Sequence, residues 1–251
     1  MHKKDNPLVT FCKKAFKDPS SPLFVKINDF LSIAIFVSIG AIILESVKEL
    51  DQYYPILVTI EYITVVIFTL EYIGRLIANE KKLSYIFSFF GIIDLISIIP
   101  TYLQLANLSF LKSLRALRIL RFLRMVRMAK VVRFEHLERH AKDDKVAIIK
   151  LNLQIYFITL LFTVTILGTL VYLFESINPR FDNIPLSMLW VLETLLGGSI
   201  SGVVPQTYPG IAIFIVARFI SYILLGFLIH IIGTVISHVL LGKAAKGVKE
   251  E

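Results

Sequence analysis

Long apolar runs constrain this chain more than any other feature of its sequence. Uninterrupted windows of about 20 residues, the length that crosses roughly 30 Å of hydrocarbon, occur near residues 28–46, 55–78, 86–105, 150–174 and 210–241. A segment crossing lipid must satisfy its own backbone, and these runs are too long for barrel strands, so each reads as a helix. A sixth segment, 109–133, is apolar except for a basic residue at every third position. The expected fold is an all-α membrane protein with six transmembrane helices. Composition agrees: 56% of the 251 residues are hydrophobic and only 18% charged, with a mean hydropathy of +0.73, well above the balance of a soluble domain.

The formal charge of +8 is distributed as a topology signal rather than as a nucleic-acid footprint. Lys3, Lys4, Lys13, Lys14, Lys17 and Lys26 precede the first span, Arg75, Lys81 and Lys82 follow the second, and Lys243, Lys246 and Lys249 follow the last. The other connections are poor in cations. With six spans, the positive-inside rule puts both termini in the cytoplasm of a multi-pass protein of the cell membrane. The first 22 residues are polar and basic and lack the short apolar core of a cleaved signal peptide, so the mature chain is expected to start at Met1. The single cysteine, Cys12, excludes an intrachain disulfide and says little about redox compartment. No cofactor or metal site is expected.

The chain divides into a polar N-terminal segment, 1–22, a four-helix region, 23–133, a linker, 134–148, a two-helix region, 149–241, and a tail, 242–251. Pro55 suits the start of the second helix, whereas Pro100 is expected to kink or end the third. The stretch "RFEHLERHAKDDKVA" is densely charged with apolar residues at helical spacing, so the linker reads as an amphipathic helix at the cytoplasmic interface.

"LRALRILRFLRMVRMAKVVRF" places Arg115, Arg118, Arg121, Arg124, Arg127, Lys130 and Arg133 three apart among apolar residues. On an α-helix such a ladder traces a slow spiral; on a 3₁₀ helix it forms a straight line. A basic amphipathic helix resting on acidic lipid would carry the same pattern. A nucleic-acid helix would not, since the gaps hold Leu, Ile, Phe, Met and Val rather than polar contact residues. Matching anions favour a third reading: Glu61 and Glu71 lie on the second helix and Asp94 mid-way along the third. Charges at membrane depth are costly and normally face a partner or water inside a bundle. Three carboxylates across two helices beside seven cations suggest a mobile sensor of the membrane field, and arginine suits it because the guanidinium stays protonated when desolvated.

These residues resemble the voltage-gated potassium channels, within the larger voltage-gated ion channel superfamily. "IFTLEYIGRL" has Phe68 three before Glu71, as in that family's charge-transfer centre; "FFGIIDLISIIP" looks like its third helix, and the ladder like its fourth. The similarity covers about residues 24–241. It implies a voltage-sensor domain at 23–133 and a pore domain at 149–241, with Phe68 as the plug that cations pass. It also implies that Glu71 and Asp94 receive the cations on the inner side and Glu61 on the outer side.

Between the last two spans, "ETLLGGSISGVVP" is too short to cross a bilayer and too poor in charge for an ordinary water-facing loop. Irregular backbone at membrane depth is tolerated where protein buries it or it lines a cavity, so residues 185–205 read as a pore helix and filter loop. "WVLETLL", with Trp190, Glu193 and Thr194, is similar to the pore helix of some potassium channels. The likeness fails beyond it. Aligned without gaps, Gly197, Gly198, Ser199, Ile200 and Ser201 occupy the places of Thr-Val-Gly-Tyr-Gly, and Gly202 that of the family's Asp. A second alignment matches Tyr208 and Pro209 to the family's Tyr-Pro. Serine replaces glycine where carbonyl rings need φ > 0, so the usual potassium ladder is not expected. Residues 194–210 contain no acid for a sodium- or calcium-type ring. The resemblance implies that Glu193 sits behind the filter, where it reads as a structural hydrogen-bonding group, with a permeation ligand as the alternative.

Arg218, early in the last helix, has two readings: snorkelling to the outer surface, or facing the pore axis, where four copies would repel cations. Gly226 lies where the family's last helix often bends, and Gly233 is a second candidate hinge; close helix packing is the alternative for both. His230 and His238 read as structural. The resemblance implies a homotetramer in the lipid bilayer passing monovalent cations, with potassium first by ancestry. The alternatives are a weakly selective or anion-permeable channel and a non-conducting voltage-responsive subunit. Enzyme activity is not expected, since only about ten residues follow the last helix.

Overall fold

In the computed structural model, residues 7–106, 113–133, 145–175, 178–198 and 202–247 are described, with backbone alone for 114, 115, 132, 133, 145–147 and 238–247. Residues 134–144 of the expected linker, and Ser199, Ile200 and Ser201 of the filter loop, lie outside the described residues. Every regular element among the described residues is helical: α1 (Pro7–Phe16), α2 (Pro22–Glu45), a 3₁₀ turn (Lys48–Tyr53), α3 (Tyr54–Ala78), α4 (Lys82–Ile86), α5 (Phe89–Leu105), α6 (Leu114–Met125), a 3₁₀ segment (Val126–Arg133), α7 (Lys145–Phe174), a 3₁₀ turn (Pro179–Phe181), α8 (Ile184–Leu195) and α9 (Tyr208–Gly247).

The starts of these helices follow from local chemistry. Side-chain oxygens of Ser21, Ser88 and Ser113 accept from the backbone N–H of Leu23, Gly91 and Ala116 at 3.3, 3.1 and 3.2 Å, satisfying donors that a first turn leaves open. Pro22 and Pro55 sit in the first turn of α2 and α3, where a missing N–H costs nothing.

Among the described residues, four stretches are long and apolar enough to span a membrane: Pro22–Glu45, Lys48–Ala78, Ile148–Phe174 and Tyr208–Ser237. The other two expected spans are shorter. α5 has 17 residues, and the basic segment divides into α6 and its 3₁₀ continuation. Pro100 does not end α5, which continues to Leu105. Proline at 100 removes the donor for the Ile96 carbonyl one turn back, and the adjacent Ser97 carbonyl accepts instead from Arg127 Nη2 at 3.2 Å.

The helices add detail to the expected segments. The N-terminal segment contains α1, with Cys12 and Ala15 buried. α7 is continuous from Lys145, so residues 145–148 belong to it rather than to a separate linker helix. α9 runs to Gly247, past the expected end at 241.

The chain forms two compact units, Met1–Phe134 with Asn183–Pro185, and Glu135–Asp182 with Leu186–Glu251. In the first, α2, α3, α5 and the α6–3₁₀ segment pack around a common centre. In the second, α7 lies against α9 over a core that includes Val164, Val171, Phe181, Trp190, Val191 and Ala217.

Candidate functional site

The basic segment of the first unit starts at the Ser113 cap as α6 and tightens into a 3₁₀ helix over Val126–Arg133. A 3₁₀ helix has three residues per turn, so positions three apart stack on one face and climb about 6 Å per step, against about 4.5 Å on an α-helix. Burial follows that period. Within the 3₁₀ segment Arg127 and Lys130 are buried three apart, as are Met128 and Val131, and Arg124 and Met125 at the end of α6 are buried one step before them.

Three cations and three carboxylates meet at this centre, all at most 4% exposed: Arg124, Arg127 and Lys130 with Glu61, Glu71 and Asp94. Arg127 pairs with Glu61 through two hydrogen bonds, Nη2 to Oε1 at 2.8 Å and Nη1 to Oε2 at 3.1 Å, and also donates to Ser38 Oγ. Thr101 Oγ1 donates to Glu61 at 2.6 Å. Lys130 Nζ lies 3.1 Å from Glu71 and 3.2 Å from Asp94, and Tyr85 donates to Asp94 at 2.5 Å. Arg124 is 3.3 Å from Glu45 and 3.9 Å from Glu61. Its Nε and Nη2 make no hydrogen bond among the described residues, so it is held less firmly than Arg127.

Phe68, fully buried, separates the two ends of this array. Its ring centroid is 5.5 Å from the Arg127 guanidinium and 4.5 Å from Lys130 Nζ, within reach of its quadrupole. Glu61 is ten residues from Glu71 on α3, which sets the two carboxylates about 15 Å apart along the axis. The array therefore offers anionic stations on either side of an aromatic partition, with a cation at each.

Glu61, Phe68, Glu71, Asp94, Arg124, Arg127 and Lys130 thus come together. Arg121 extends the array, 3.4 Å from Glu45; Arg118 is half-buried; the side chains of Arg115 and Arg133 lie outside the described residues. Sequence reasoning missed Glu45, Ser38, Tyr85 and Arg75. Glu45 ends an apolar run and reads there as a span boundary, but seven cations against three acids was a signal to search for a fourth. Arg75 lies four residues after Glu71 and bonds it at 2.8 Å, so Glu71 serves a cation on its own helix as well as Lys130.

In the second unit α8 ends in a Schellman motif: Gly198 N–H bonds the Glu193 carbonyl at 3.0 Å and Gly197 N–H the Thr194 carbonyl at 3.2 Å. Gly197 has φ = 83°, the left-handed value this cap favours and glycine tolerates. Gly197 and Gly198 close the helix, and Gly202, φ = 61°, resumes the chain beyond Ser199–Ser201. Trp190 Nε1 donates to the Val203 carbonyl at 2.9 Å, tying the loop's return to α8, and its ring packs edge-on against Phe181. Thr194 Oγ1 donates back to the Trp190 carbonyl at 2.9 Å. Glu193 is half-buried beside them.

Arg218 takes a partner that neither sequence reading named. Its Nη1 donates to the Thr194 carbonyl at 3.2 Å while the guanidinium lies 5.2 Å from the Phe214 ring centroid. Ser221 Oγ adds a bond to the Leu195 carbonyl at 2.5 Å. Both groups of α9 thereby meet carbonyls at the negative end of the α8 dipole. Among the described residues, a side chain at Gly226 or Gly233 would meet nothing within 4 Å, so packing among them requires neither glycine.

Glu175 was also unforeseen. Buried at the end of α7, its carboxylate accepts from Gln206 N–H at 3.1 Å, Thr207 N–H at 2.7 Å and Thr207 Oγ1 at 2.6 Å. Thr207 Oγ1 accepts in turn from Gly210 N–H at 3.1 Å. An anion here complements the start of α9, and a Cβ at Gly210 would collide with Glu175 Oε1.

A family model described as ion transport protein matches residues 27–244. That match takes in the buried array of the first unit and the capped helix and loop of the second. The chain belongs to the ion transport protein family, and is a multi-pass membrane channel of the voltage-gated ion channel superfamily.

Proposed function

We propose that the chain is the subunit of a homotetrameric voltage-gated channel for monovalent cations. The voltage-sensor domain is 23–133, with α2, α3, α5 and the α6–3₁₀ segment as its four helices; the pore domain is 149–241, with α8 as pore helix and 195–205 as filter loop. Both termini face the cytoplasm. The observation that carries this reading is the burial of Arg127 and Lys130 beside Phe68, each against a carboxylate, Glu61 before that ring on α3 and Glu71 after it.

A cation leaving the carboxylates on one side of Phe68 finds them on the other, so the ladder advances without exposing a bare charge to hydrocarbon. In this topology Glu71 and Asp94 form the inner station and Glu61 and Glu45 the outer one. Each charge that crosses the field gains about 2.3 kcal/mol per 100 mV. One chain supplies only two pore-forming helices, which is why four are invoked.

Potassium is the leading permeant ion by family. A specific observation favours a second reading, a weakly selective or anion-permeable pore. Arg218 donates to Thr194, so a cation already occupies the pore-helix end whose negative dipole would otherwise favour permeating cations. Reversal potentials in planar bilayers under potassium, sodium and chloride gradients test both. Voltage-dependent current reversing near the potassium potential is expected; reversal near the chloride potential selects the second reading. Current indifferent to voltage refutes the sensor.

A further inference from the structure

We propose that the first unit carries a binding groove for one acyl chain of an anionic phospholipid, between α1, α2 and α3. The groove has a volume of about 460 Å³ and is lined by Leu8, Phe11 and Cys12 of α1, Phe30 of α2, and Leu70 and Ile73 of α3. That volume falls within the range of about 300–1,000 Å³ typical of small-molecule sites.

Its shape follows from how α1 is fastened. The C-terminal half of α1 is docked: Ala15 is fully buried, and Phe16 packs where any side chain at Gly74 would stand. The Arg75 guanidinium lies 5.5 Å from the Phe16 ring centroid, and Lys13 is 3.8 Å from Glu80. In the N-terminal half, Leu8 and Phe11 remain more than half exposed, as do Phe30 and Leu70 opposite them. The space between is a wedge open to the surroundings of a membrane-spanning unit.

Charge selects the occupant. At helical spacing Leu8, Phe11, Cys12 and Phe16 share one face of α1, while Lys13 and Lys14 lie on the other. This is the pattern of a helix lying in the membrane interface with its apolar side down. Lys14, Lys17 and Lys26 are exposed around it, and residues 7–30 hold four lysines against two aspartates. A lipid whose chain fills the wedge sets its headgroup at the level of these lysines, which favours an anionic one.

The groove also reaches Glu71, which holds Lys130 and Arg75. An effect of the lipid on gating rests on the sensor reading; binding does not.

Native mass spectrometry of the full chain tests binding directly, with phosphatidylglycerol and phosphatidylcholine of identical acyl chains as probes. One phosphatidylglycerol per chain is expected to survive removal of detergent. Lys14→Gln/Lys17→Gln/Lys26→Gln should lower its retention by about tenfold or more, since a lysine near an anionic surface contributes about fivefold. Leu70→Trp should abolish retention by filling the wedge, with Cys12 still inert to maleimide as the sign that α1 remains docked. Equal retention of phosphatidylcholine, unchanged retention in Leu70→Trp, or a change in oligomer mass in place of lipid loss would each overturn the proposal.

Discussion

Replacing Arg127 by glutamine separates charge from packing more sharply than any other change in the array. Three cations, Arg124, Arg127 and Lys130, are buried, and if all three cross the field a chain gains about 7 kcal/mol per 100 mV. Without Arg127 the gain falls to about 4.6 kcal/mol, and the limiting slope relaxes from about 8.5 to about 13 mV per e-fold for each chain's own transition. The same substitution removes the bidentate partner of Glu61. Breaking a buried pair costs about 3–5 kcal/mol; the Thr101 hydroxyl and Arg124, 3.9 Å away, place this case near the lower end. Arg127→Lys keeps the charge and loses the paired geometry, so it should shift the midpoint and preserve the slope. Arg127→Gln/Glu61→Gln should recover much of the thermal stability while leaving the slope shallow. Gating currents in oocytes or reconstituted membranes, with thermal melts in detergent, read both quantities. A folded Arg127→Gln protein with the parental slope would refute the assignment of Arg127 as a moving charge.

Three further substitutions test the geometry. Phe68→Ala removes a fully buried ring that touches Arg127 and Lys130 and should cost about 3–5 kcal/mol; a melt will show it, and a cation leak through the sensor at rest should accompany it. Glu175→Gln leaves at least one donor among Gln206 N–H, Thr207 N–H and the Thr207 hydroxyl poorly served and should cost about 2 kcal/mol, while Gly210→Ala, which drives a methyl into the same carboxylate, should be at least as harmful to the melting temperature.

The sequence disclosed the charged array because burying charge is costly enough to leave few interpretations. Glu61, Glu71 and Asp94 stood out as acids inside apolar runs, and the ladder stood out by its period. Glu45 and Arg75 did not, because a charged residue near the end of an apolar run looks the same whether it meets water or a partner. Boundaries were less legible. α1 is a short helix in a basic segment whose docking depends on Phe16 meeting a glycine 58 positions away, and no local pattern announces that. That Pro100 does not end its helix has a related cause: local rules forbid its hydrogen bond, while Arg127 from another helix serves the neighbouring carbonyl. Arg218 and Glu175 were hidden in the same way, since each answers a helix end that is close only after folding.

The change of pitch at Val126 decides what kind of machine the ladder can be. On an α-helix, residues three apart are offset by about 60°, so advancing one charge past a fixed ring would demand a screw motion, with every other side chain turning away from its neighbours. On a 3₁₀ segment the offset vanishes and the helix becomes a rack. Within it, translation by three residues would bring Arg127 to the station of Lys130 and Met128 to that of Val131, a cation replacing a cation and an apolar side chain an apolar one. If the proposed sensor moves in this way its packing survives the stroke, and the work done by the membrane field is left for whatever the segment pulls.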